Sequence, residues 1–195
     1  MKHIILIATA NIVFFAACNG SNNQPKTGND TVQSAQVTTS EKPVATADQQ
    51  STSSVKEIVN SYLKMKNALA GDDDKGTAAA GDAMVAAFDK FDKSSLTADQ
   101  KKVYEDVESD AREHAEHIGK NAGNIKHQRE HFDMLSKDMY ELVKTFGAGQ
   151  QLYYDHCPMY NNGKGADWIS ETKEISNPYF GKKMSGCGTV KEELK

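Results

Sequence analysis

No proline stands between Pro43 and Pro158 in this 195-residue chain. Proline inside a helix removes a hydrogen bond and clashes with the turn before it. Its absence over so long a stretch lets helices run, and the residues there recur at helical spacing. Val55, Ile58, Val59, Tyr62, Leu63, Lys66 and Leu69 trace one face behind the capping pattern Ser54-Val55-Lys56-Glu57, and Gly71 ends the run. Asp72-Asp73-Asp74 suits the positive end of a second helix. That helix is the alanine-rich run from Thr77 to Phe91, with Gly81 as a weak point. Thr97-Ala98-Asp99-Gln100 is another capping box and opens a third helix to about Ile118. A fourth runs from about Asn124 to Phe146 and stops at Gly147. Short links favour antiparallel neighbours. Beyond Gly147 the texture changes to turns, with β propensity at Gln151–Tyr154 leading into Cys157 and at Ala166–Ser170. The expected fold is therefore mainly α: an up-down four-helix bundle with a C-terminal loop-rich segment containing short β elements.

Residues 2–17 hold one lysine followed by a short apolar run, too short to span a bilayer comfortably and placed as a signal peptide is. The run ends in Phe15-Ala16-Ala17-Cys18. Small residues before a cysteine resemble a bacterial lipobox, although Phe15 stands where leucine is usual. The resemblance implies a signal peptide over 1–17, cleavage before Cys18 and lipid on its sulfur; plain secretion is the alternative. Residues 19–53 are rich in Ser, Thr, Asn and Gln, with almost no large apolar groups to offset ordering entropy. Residues 18–53 are thus expected to be the lipidated cysteine and a disordered tether. Asn19-Gly20-Ser21-Asn22-Asn23 carries no acidic pair, and the expected address is the outer membrane, facing the periplasm. The remaining 54–195 is long enough for one core. Net charge is −4, and loss of Lys2 leaves 22 basic against 27 acidic residues. That balance argues against nucleic acid as a partner.

On the third helix Val103, Val107, Ala111 and Ile118 share one arc, and His114 falls inside it. His114 reads as a core or boundary histidine rather than a ligand, and no partner on a second helix is evident for it or for His117. On the fourth helix Ile125, Phe132, Leu135, Met139, Val143 and Phe146 form the apolar face. Arg129 sits within that face and needs an acceptor; Asp110 is the expected partner, in a structural role. His127 and His131 have the i,i+4 spacing of metal ligands, but with no third ligand in view they read as a solvated face, beside Met134.

Specific chemistry concentrates near the C-terminus. Cys157-Pro158-Met159 is followed by Met184-Ser185-Gly186-Cys187-Gly188. Two thiols and two thioethers are the donors that soft Cu(I) prefers. Cys157 and Met159 lie on one side of an extended segment. Met184 and Cys187 would share a helical turn. The four would make a metal site, with His156 as a substitute ligand; zinc is less apt, since it favours Cys and His over thioether. A disulfide between Cys157 and Cys187 fits equally well in an oxidising compartment. It would close a loop of about 31 residues, worth several kcal/mol, with the methionines as core fillers. There is no CxxC, HExxH, haem motif or Gly-rich phosphate loop, so an enzyme is not expected.

Cys157-Pro158-Met159, Gly165 to Ser170, Ile175 to Gly181, Met184 and Cys187-Gly188 resemble a bacterial family of uncharacterised periplasmic proteins, a domain-of-unknown-function family. Gln128-Arg129 with Phe132, Leu135 and Ser136 is similar to its helical signature, and the resemblance covers roughly 55–191. That family occurs as free lipoproteins and as an extra domain on adaptor subunits of copper/silver efflux systems, which implies metal handling. The Cys-Pro-Met tripeptide is also similar to a small heavy-metal-binding module whose motif continues with His-Pro. Tyr160-Asn161 follow here, so that histidine is not carried over. The expected function is a periplasmic lipoprotein that binds copper or a similar soft metal through Cys157, Met159, Met184 and Cys187. It would buffer the ion or deliver it to an efflux adaptor or another periplasmic protein. Trp168, Tyr179 and Phe180 would pack the loop onto the bundle. The alternative is a disulfide-stabilised interaction module without metal.

Overall fold

The computed structural model describes residues 47–195, with side chains from Val55 onward. The expected signal peptide, Cys18 and the tether as far as residue 46 lie outside the described residues. Helix α1 spans Ala47–Ala70, so it starts ahead of the capping pattern at Ser54. Ala47-Asp48-Gln49-Gln50 contains good helix formers and no breaker, which lets the helix reach into the stretch assigned to the tether. Helix α2 spans Asp74–Asp89, and the Asp73 carboxylate accepts from the Gly76 N–H at 2.9 Å. A 3-10 turn at Lys93–Ser95 leads to α3, Ala98–Lys120. The expected capping box at α3 is present in both directions between Thr97 and Gln100. Helix α4 spans Ile125–Phe146, capped by Asn124 and ended by Gly147 at φ +69°. That positive φ is where glycine avoids a steric cost.

The helices pack in chain order, α1 on α2, α2 on α3, α3 on α4, and α4 closes on α1. This is the expected up-down bundle. Stacked rings fill its core, with Phe91 on Tyr104 at 4.1 Å and Tyr62 on Phe132 at 5.0 Å between centroids. Gly81 is a contact surface as well as a helical weakness. A Cβ there would lie 2.7 Å from the Ala115 carbonyl oxygen and 2.9 Å from the Gly119 nitrogen. Glycine is what lets α2 and α3 touch backbone to backbone.

After Gly147 the chain forms an antiparallel sheet in the order β2-β1-β3. Its strands are β1 (Leu152–Cys157), β2 (Ala166–Ser170) and β3 (Thr189–Leu194). A single turn, α5 at Tyr160–Gly163, joins β1 to β2, with Asn161 and Asn162 in the left-handed region that asparagine tolerates. The strand β3 was not anticipated. Its Thr-Val-Lys-Glu-Glu-Leu sequence is charged because it is an edge strand, exposed at every second residue. The strand β2 packs on α4 and α1. Tyr179 bridges the layers, 5.9 Å from the Trp168 ring and 5.8 Å from Phe132. Phe180 meets Tyr160 edge-on at 6.0 Å. These rings hold the C-terminal segment to the bundle in the way their position in the sequence suggested.

Arg129 has a structural role, but its partner is Asp72 rather than Asp110. Its guanidinium donates to Asp72 at 2.6 Å, to the Leu69 carbonyl at 2.9 Å and to the Pro178 carbonyl at 2.7 Å. The α1–α2 turn carries Asp72 to this point with φ +57°. Arg129 holds the Asp72 carboxyl below the usual carboxylate range. One side chain thus ties α4, that turn and the C-terminal segment together.

Candidate metal centre

Helices α3 and α4 form a hairpin about the Asn121–Asn124 turn. His114 and His117 lie before the turn, His127 and His131 at matching distances after it. In an antiparallel pair such positions lie at the same level, so the four imidazoles meet. The ligand nitrogens of His117, His127 and His131 all lie within 4.8 Å of one another. His131 is the hub. Its ring stacks on His117 at 4.4 Å, meets His127 edge-on at 4.5 Å, and its Nδ1 is 3.2 Å from Nδ1 of His114. The reading of His127 and His131 as a pair without a third ligand is therefore corrected. A third candidate donor, His117, comes from the neighbouring helix, and His114 and His117 both have partners across the interface.

Burial first, and then the nearby His117, His127 and His114, together lower the pKa of His131 to about 4. Burial also lowers that of His114. A metal ion needs neutral imidazole, and the cluster favours that form at His131 at neutral pH. Metal–nitrogen bonds of about 2.0–2.1 Å set tetrahedral ligand nitrogens about 3.3 Å apart. The rings are therefore close enough to converge by side-chain rotation alone. The His114 contact occupies Nδ1 of His131 and leaves Nε2 for an ion, an arrangement that fixes the ring as outer partners of metal-bound histidines do. Carboxylates stand nearby: Glu130 is 3.5 Å from His127 Nδ1 and Glu113 is 3.7 Å from His117 Nε2. Three imidazoles suit borderline divalent ions, with Cu(II) favoured over Zn(II) in intrinsic affinity.

The sulfur residues are placed differently. Cys157 is fully buried at the end of β1, Cys187 is half-buried before β3, and their Sγ atoms are 2.9 Å apart. Both are free thiols in the structure. The hydrogen bond with Cys157 and partial burial push the Cys187 thiol up to about 11. Met159 is 54% exposed and lines a groove with Met134, Glu130, Asp133 and Phe180; neither cysteine is part of that lining. Met159 is thus no core filler, and Met184 is half-buried after a short 3-10 turn. His156 alternates with Cys157 along β1 and so lies on the other face of the sheet. There its Nδ1 is 2.7 Å from Asp167, its cross-strand neighbour. The two cysteines meet, and His156 is held away from them.

Residues 58–151 match a protein family described as a protein of unknown function, DUF3347. That stretch, just under half of the chain, is similar to the DUF3347 family. No curated protein and no solved structure matches the chain. The DUF3347 match starts later and ends earlier than the 55–191 resemblance. It contains the four clustered histidines and stops just before β1, so the cysteines and Met159 and Met184 fall outside it.

Proposed function

We propose that the protein is an exported lipoprotein that binds a metal ion, copper above all, at the histidine cluster between α3 and α4. It is a binder rather than a catalyst, anchored through lipid on Cys18 to the outer membrane and facing the periplasm. There it buffers the ion or passes it to an efflux adaptor or another periplasmic protein. The observation that carries this reading is the convergence of His117, His127 and His131 within 4.8 Å. The half-exposed position of these rings favours an exchangeable ion over a sealed structural one. The sulfur set of Cys157, Met159, Met184 and Cys187, first nominated for Cu(I), is a weaker candidate. Two thiolates sharing a tetrahedral ion at about 2.3 Å would stand about 3.8 Å apart, well beyond the 2.9 Å seen here.

Competition titration with a chromophoric chelator tests this. The mature chain is expected to take one Cu(II) ion, and Zn(II) more weakly. A His117→Asn/His127→Asn/His131→Asn triple variant is expected to lose at least about 100-fold in affinity. A Cys157→Ser/Cys187→Ser variant is expected to bind like wild type. Equal competition by the triple variant and wild type would remove the histidine site; loss confined to the cysteine variant would return the metal to the sulfurs.

A further inference from the structure

We infer that Cys157 and Cys187 are a modification site, joined in the exported protein as a disulfide that staples the chain before β3 to the central strand. Cys157 ends β1 and is fully buried, so its thiol has no room to turn to solvent. Cys187 is fixed from several sides. Its carbonyl accepts from Asn177 Nδ2 at 2.6 Å, its N–H donates to the Met184 carbonyl at 3.1 Å, and Asn177 N–H donates to the Ser185 carbonyl at 2.9 Å. The next residue, Gly188, is pressed onto the sheet. A Cβ there would lie 2.8 Å from the Trp168 ring and 3.0 Å from the His156 carbonyl oxygen.

The β1–β3 ladder ends at the His156–Thr189 pair, and just beyond it the two thiols meet at 2.9 Å. Only a short approach therefore separates the thiols from a bond. The pair differs in access. Cys187 is half-buried and reachable, whereas Cys157 is sealed. Oxidation would therefore begin at Cys187. Its thiolate attacks a disulfide oxidant, such as oxidised glutathione or the disulfide of a thiol oxidoreductase, and one oxidant thiol leaves. Cys157 sulfur then attacks Cys187 sulfur, the intramolecular bond forms and the second oxidant thiol leaves. Two cysteine thiols are oxidised, one external disulfide is reduced, and both protons end on its thiols. The bridged form has no thiolate to offer a metal, which leaves the histidines as the resident site. The inference does not depend on that site, since none of the four histidines touches either cysteine.

The full chain, expressed with its own leader and extracted from the membrane, is denatured in iodoacetamide without reductant and mapped by peptide mass. The expected result is no adduct on either residue and a linked Cys157–Cys187 peptide pair, with adducts on both only after reduction. Reduction of the native protein is expected to lower Tm by about 10 °C, to the value of the Cys157→Ser/Cys187→Ser variant. The His117/His127/His131 variant should give the same map as wild type. Adducts on both cysteines without reductant would overturn the proposal. So would an adduct of the oxidant trapped on Cys187 with no internal link, or a Tm unchanged by reduction.

Discussion

Asp155 is fully buried on β1, and neither carboxylate oxygen has a hydrogen-bond partner among the described residues. Burial pushes its pKa up to about 7, against a smaller opposing pull from Lys66. Lys66 is itself almost fully buried, and its ammonium is already 2.9 Å from Glu171. A carboxyl raised in the folded state binds its proton more tightly there than in the unfolded chain. Its contribution to stability is therefore complete below about pH 4 and is lost as pH rises to about 7. Wild type should lose roughly 2–4 kcal/mol relative to an Asp155→Asn variant across that interval, and the difference should stay level above it. Comparing the two proteins isolates this effect from His131, whose lowered pKa acts with the opposite sign over about pH 4 to 6.5. Urea unfolding at a series of pH values provides the measurement; a difference independent of pH would count against the assignment.

At the scale of elements, the contact between α2 and α3 rests on Gly81. Helix propensity alone ranks Gly81→Ala as stabilising by about 0.5–1 kcal/mol. The contact distances reverse that expectation, because the atoms a Cβ would meet belong to the backbone of α3 and cannot swing aside. Gly81→Val should therefore cost about 1–3 kcal/mol through overpacking, seen as a lower urea midpoint with the slope unchanged. Gly186→Ala, with nothing within 4 Å of its added Cβ, serves as the near-neutral control. Because α3 also carries His114 and His117, spreading this interface would shift the hairpin on which the histidine cluster depends.

For the whole molecule, the bundle and the sheet share one core. The Tyr62 hydroxyl on α1 accepts from the Ile169 N–H of β2 at 3.1 Å and pairs with Ser136 on α4 at 2.8 Å. Trp168, Ile169 and Tyr179 pack against the same cluster. The DUF3347 match ends at residue 151, ahead of Trp168, Ile169 and Tyr179. A chain truncated after Gln151 would expose the faces of α1 and α4 that β2 and Tyr179 now cover. Such a chain should keep far-UV helical signal but lose near-UV aromatic signal and sharp unfolding, as a loosely packed state does. A cooperative transition within about 1 kcal/mol of wild type would instead show that the four helices stand alone.

The start of α3 and both ends of α4 were legible in the sequence because caps and stop signals are local, whereas α1 and α2 begin ahead of the expected positions. Thr97 with Gln100, Asn124 and Gly147 act through bonds within a few residues, so no tertiary information is needed to place them. The aromatic anchors and the meeting of Cys157 with Cys187 were also within reach, since few other residues of those kinds lie in the last segment. The histidine cluster was visible only as two separate pairs. Periodicity assigns each histidine to a face of its own helix but leaves open which face of the neighbour it meets. The matching distances from the Asn121–Asn124 turn were the signal that joins them. Arg129 found Asp72 instead of Asp110 because a left-handed turn residue brought a carboxylate from beyond the helix pair. Edge strand β3 escaped notice because its pairing with β1 supplies what its charged sequence does not. The chain by itself determined which elements form and which side chains carry donor atoms. Only the tertiary structure decided which donors meet, because relative rotation and level of packed helices depend on contacts between residues far apart in sequence.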